Sequence, residues 1–236
     1  MQLAGIQSWH ASIDDNPMHL QEALYVRDAC RFAVPDDPSN PPPLEGAVVD
    51  HASVLSADGR RVAGAQWLAW WRDVVRIEGA RELGRLEVVG EAPTGGTTFL
   101  AARHHLFGWP DLAALGDRAE LRRCVLESHD DAVRWRNERG VGLFRSEPWR
   151  LGLPHPEMGA IAQAVIERLD VSPGRVRAAV LVLGVLGYWS ALPGPGVLLC
   201  SPAVAGDADH LAPLVEAAFA SGPDAEAVVL PAAPRR

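Results

Sequence analysis

Residues 175–201 read RVRAAVLVLGVLGYWSALPGPGVLLCS, and this stretch decides the fold class. Its middle is a continuous apolar run rich in β-branched residues, the pattern of a strand buried on both faces. From 178 to 206 no residue is charged. A membrane-spanning helix needs about 20 uninterrupted apolar residues, and Pro193-Gly194-Pro195-Gly196 breaks this run after 15 residues, at Leu192. Two buried strands joined by a Pro/Gly loop are the better reading, the second being GVLLCS (196–201).

Working outward toward the C-terminus, Leu211, Leu214, Val215 and Ala218 mark a helix, and EAVVLP (226–231) reads as a strand. Residues 196–231 therefore read as a βαβ unit. In the other direction, Met158, Ile161, Ala162, Val165, Ile166 and Leu169 recur at helical spacing. Asp117 to about Arg139 is a further helical pattern, with Gly140 and Gly142 as stop signals. A short helix is expected over 99–106. RLEVVG (85–90) reads as a strand and 63–83 as a helix carrying the stripe Trp67, Trp70, Trp71, Val74, Ile77. AVVDHASVL (47–55) alternates loosely and reads as a strand, with SADGRR as the turn after it. Residues 47–90 then allow a second βαβ unit or, equally, an antiparallel arrangement.

Upstream lies PDDPSNPPPLEG (35–46), which fits neither a helix nor a central strand. It reads as a stiff connector. The predicted organisation is an N-terminal arm with this connector (1–46), one globular domain (47–231) and a frayed tail (232–236). The fold class is α+β or α/β, a mixed β-sheet flanked by helices.

Composition narrows the chemistry. The chain has 236 residues, 22 basic against 30 acidic, with a net charge of −8. Every basic residue is Arg. The absence of Lys argues against P-loop nucleotide binding and against PLP, both of which need one, and no cofactor is predicted. Arg throughout is what a GC-rich coding sequence gives. The acidic balance argues against nucleic acid as a partner. Cys30, Cys124 and Cys200 form no CxxC and are odd in number, so a disulfide framework is not expected. The first ten residues carry no basic segment or long apolar run, and no signal peptide, no membrane association and a cytoplasmic location are expected.

Five sets of residues carry candidate chemistry. Thr94, Gly95, Gly96 and Thr97 follow a strand and could turn backbone N–H groups toward an anion. Cys200 and His210 flank a strand-to-helix loop where a thiol and an imidazole could act as nucleophile and base; Asp207 or Asp209 is the expected cap of the helix. His104, His105, Cys124, Glu127, His129, Asp130 and Asp131 fall within 28 residues and include metal-ligating types, although HExxH, HxxxH and CxxC spacings are all absent. The tryptophans are read as core at 67, 70 and 71, and as interface anchors at Trp109 and Trp149, which lie beside prolines. Asp50-His51 resembles half of a triad, but neighbours on a strand face opposite ways.

The expected function is that of a cytoplasmic, non-catalytic interaction or accessory protein, acting through Trp-containing surfaces on a protein partner or on its own copies. The alternative is a hydrolase or transferase for an anionic small molecule, its site formed by loops 93–98 and 200–210. A small-molecule sensor is the third reading.

Overall fold

A computed structural model describes residues 8–89, 97–109, 111–143 and 151–231, with Thr97 and residues 139–143 described as backbone only. The elements in chain order are β1 (His10–Asp14), α1 (Met18–Ala29), α2 (Ala57–Glu82), β2 (Leu86–Val89), α3 (Thr97–Phe107), α4 (Ala119–Leu143), α5 (His155–Leu169), β3 (Arg177–Val182), β4 (Ser190–Gly194), β5 (Val197–Cys200), α6 (Pro202–Ala205), α7 (Ala208–Ser221) and β6 (Val228–Pro231).

The apolar run forms β3, a central strand buried from Ala178 onward. It pairs in parallel with β1 on one side (Ser12 opposite Ala179) and with β5 on the other (Val180 opposite Leu198). β4 closes the sheet antiparallel to β5, so the order is β1-β3-β5-β4. Successive residues of β3 face opposite layers. Ala179, Leu181 and Leu183 join a large core with α1 to α4. Ala178, Val180 and Val182 join a second core with α5 and α7. The class is α+β, a mixed four-stranded sheet between helical layers with a small parallel pair, β2-β6.

α2 is 26 residues long and about 39 Å in span. The Asp58-Gly59 signal sits in its first turn rather than in a hairpin, because Ser56 caps it by accepting from Gly59 N at 3.1 Å. Its Trp stripe is buried. Trp67 stacks on Trp71 at 5.3 Å, and both interior indole N–H groups are satisfied, Trp67 by Ala23 O and Trp70 by Leu106 O. Gly79 lets the helix cross close to the sheet, since a Cβ there would lie 2.6 Å from Val197 Cγ2.

Three expectations are corrected. Residues 47–55 form no strand: Val49 N donates to Tyr25 Oη and His51 N to Ala29 O, so α1 satisfies backbone that a neighbouring strand would otherwise pair. β2 consequently pairs with β6 (Leu86 opposite Val228), and neither predicted βαβ unit forms within one sheet. α4 passes through Gly140 and Gly142 to Leu143, because glycine inside a helix costs only about 0.5–1 kcal/mol and does not forbid it.

Within the predicted arm, residues 10–46 are built into the fold. β1 is an edge strand of the sheet and α1 lies in the larger core. The proline-rich segment keeps its carbonyls as acceptors. Pro41 O and Pro42 O take bonds from Arg27, Pro43 O from Leu186 N and Pro38 O from Trp189 Nε1. No described helix is long and apolar enough to cross a membrane. Residues 232–236 lie outside the described residues.

Candidate functional site

α1 is enclosed on nearly every side, so its polar side chains must find partners inside the protein. His19 Nδ1 lies 2.5 Å from Glu78 Oε1 on α2, both side chains fully buried. The other oxygen of Glu78 accepts from Arg81 Nη2 at 2.9 Å. Arg81 also pairs with Glu82 at 2.7 Å and with Asp14 at 3.4 Å. Ser12 Oγ donates to Glu82, and His10 Nε2 lies 3.2 Å from the Glu82 carbonyl. His10, Ser12 and Asp14 alternate along β1 and so share its face toward α2. Glu22, one turn after His19, pairs with His129 Nδ1 on α4 at 2.8 Å and with Arg103 on α3 at 3.5 Å. A seam of ion pairs thus runs from the edge of the sheet, past α1, to α4.

Burial pushes Glu78 upward, but the hydrogen bond and charge of His19, together with Arg81, outweigh it and hold the carboxyl below its usual range. Burial pushes Asp14 up, the Glu82 and Glu78 charges add to this, and Asn16 N–H and Arg81 oppose it only in part. An ionised Glu78 can only accept, so His19 Nδ1–H is the donor of this bond. Nε2 is buried with no hydrogen-bond partner among the described residues. The ring stacks on Phe99 at 4.8 Å and tilts against Phe107. A carboxylate that orients an imidazole is the arrangement general bases use, but here the imidazole is closed off by aromatic rings.

The candidates read from the sequence go to different places. Cys200 sits in the α5/α7 core, where burial pushes its thiol up to about 12. His210 is exposed on the first turn of α7, edge-on to Tyr188 at 4.8 Å. Asp207 caps that helix by accepting from His210 N and also accepts from Tyr188 Oη at 2.6 Å. The tyrosine hydroxyl first, then the backbone N–H, hold Asp207 below the usual carboxylate range. Thr94, Gly95 and Gly96 lie outside the described residues, and Thr97 begins α3. α3 belongs to the core on the opposite face of the sheet from Cys200.

The seven-residue His/Asp/Cys set is dispersed. His104 and His105 line a cleft with Asp73 and Arg118. Cys124 is hydrogen-bonded to Cys30; that bond first, and burial second, raise the Cys30 thiol. His129 goes to Glu22, Asp131 to His51 at 3.0 Å, and Asp50 to Arg31. Among the described residues no group of three or more such side chains is placed to hold a metal. Trp109 is half-buried between Phe107 and His129, with Arg103 over its ring. Trp149 lies outside the described residues.

Sequence reasoning missed His19, Glu78, Asp14 and the exposure of Leu186, Tyr188 and Leu192. The signal for the first three was the lack of any polar face on α1 and the Glu78, Arg81, Glu82 spacing on α2. Leu186, Tyr188 and Leu192 are 49%, 51% and 45% exposed at the β4 end of the sheet.

No protein-family model, curated protein or solved structure matches the chain.

Proposed function

We propose that this chain is a non-catalytic interaction protein of the cytoplasm, working on a protein partner or on its own copies and needing no cofactor. The observation that carries this reading is the exposure of Leu186, Tyr188 and Leu192, three large side chains within seven residues of an uncharged stretch. Large apolar side chains gathered on one surface mark contact sites. The surface differs from the tryptophan surfaces anticipated from sequence: Trp109 is half-buried against Phe107 and His129, and Trp149 lies outside the described residues.

Contact there would be through side chains rather than by adding a strand. β4 carries Pro193 and a register shift between Ala191 and Gly194, two features that blunt an edge strand. Tyr188 is held in place by Asp207 and His210, which limits the ordering cost of binding.

The test is native mass spectrometry of protein purified untagged from its host, beside the double variant Leu186→Asp/Leu192→Asp. The expected result is a discrete oligomer or one stoichiometric partner for the unaltered chain. The variant should lose that species with its thermal midpoint unchanged. A monomer without partner, or the same species in both proteins, would overturn the reading.

A further inference from the structure

On the side of α2 toward α3, a cleft of about 400 Å³ opens between α2, the end of α3, the 108–118 segment and Pro231. That volume lies within the range of small-molecule sites. Its exposed apolar wall comes from Ala113, Ala114 and Pro231, backed by the buried Trp70 and Leu106. The segment turns tightly because Gly108 has φ +68° and its Cα approaches the backbone of Ala113 and Ala114, where a Cβ would collide.

The polar wall holds Asp73, Arg118, His104 and His105, and Arg76 stands beside it against Asp73. Asp73 is the carboxylate lining the cleft. Arg118 Nη2 stands 3.5 Å from one of its oxygens and Arg76 Nη2 3.8 Å from the other. Both separations are longer than a direct N–H···O bond, so each guanidinium fork keeps donors for another acceptor. His104 and His105 complete the wall. Burial first, then the Arg76 charge, hold His105 below the ordinary imidazole range. Near neutral pH it therefore presents one N–H and one lone pair.

We propose that this cleft binds a small molecule carrying an oxyanion, a carboxylate or a phosphate, on a compact apolar body. Arg118 takes the oxyanion, for which the guanidinium fork is suited, and Arg76 adds positive charge from beside the cleft. His105 donates its N–H, and the Ala113, Ala114 and Pro231 wall takes the apolar body. This site lies apart from the Leu186–Leu192 surface and does not depend on it.

The test is calorimetric titration of the intact protein with phenyl phosphate, benzoate and the uncharged benzamide, with the histidine ring resonances followed by NMR. At least one anionic probe should bind at 1:1, and benzamide at least about tenfold more weakly, a difference of about 1.4 kcal/mol. Tighter binding of phenyl phosphate identifies the natural head group as a phosphate; tighter benzoate identifies a carboxylate. An anion beside His105 favours its protonated form, so the His105 midpoint should rise in the complex and affinity should increase as pH falls through the imidazole range. Arg118→Met should lower affinity at least about tenfold. Ala114→Trp, which fills the exposed cleft and leaves its charges in place, should also abolish binding, with an unchanged thermal midpoint. Absence of saturation by either anion, equal binding of benzamide, or affinity indifferent to both substitutions would overturn the proposal.

Discussion

The two faces of the four-stranded sheet are packed on different principles. Toward α5 and α7 the core is apolar, with Val180, Leu198, Val215 and Phe219 among its members. Toward α1 to α4 the larger core also encloses His19, Gln21, Glu22, Arg27, Glu78 and Ser128; on the other side Ser201, the cap of α6, is the buried polar residue among the described residues. An apolar layer asks only for volume and shape. An ionic seam asks each group to meet a particular partner, since a buried charge left alone is far costlier than a lost methyl group. The comparison shows how one sheet can be covered by a tolerant layer and by an exacting one.

The sharpest way to break the comparison is Glu78→Leu. It strands both the His19 N–H and one side of Arg81, and should cost about 3–5 kcal/mol in urea denaturation. A loss no larger than that of an exposed substitution would show that the seam is not exacting. On the opposite face, Leu198→Ala should cost about 2–5 kcal/mol as a cavity substitution, with a loss that does not vary with pH. The double variant His19→Leu/Glu78→Leu removes both partners, so it should lose less than half of what Glu78→Leu alone loses, because well-packed apolar replacement of a buried pair is often close to neutral.

The pH profile separates the faces further. The folded-state pKa of Glu78 is depressed, so its contribution is present above the unfolded carboxyl value and is lost as pH falls through the folded one. Stability should therefore fall on acidification from the ordinary glutamate range downward, and Glu78→Leu should remove that part of the slope. Asp14 has the opposite sign. Its raised pKa makes the charged form a cost that disappears as pH falls. Asp14→Asn should raise stability at neutral pH by at most about 1 kcal/mol, because its pair with Arg81 is long and partly solvated. A loss instead of a gain would show that this pair outweighs the desolvation of Asp14.

The apolar face was readable from the sequence because its signals are local. The run at 178–183 and the Met158 to Leu169 period each state a buried face without reference to the rest of the chain. The Trp stripe was readable for the same reason. The seam was not: His19 and Glu78 are adjacent only because α1 packs against α2, and nothing within either helix names the other. Cys200 and His210 show the converse. Ten residues apart in sequence, they part because Cys200 ends a buried strand and His210 lies on an exposed helix turn.

The sequence by itself therefore determined the class of the fold, the helices with strong periodicity and the central strand, all of which follow from composition and short-range pattern. Only the tertiary structure decided that residues 10–46 belong to the body of the protein, that β2 pairs with β6, and which ionisable groups meet. It also decided that Arg76, Arg118, His104 and His105 gather around one cleft. These depend on contacts between residues far apart in the chain. Which such contacts form is settled by the joint burial of many side chains, and no local spacing encodes it.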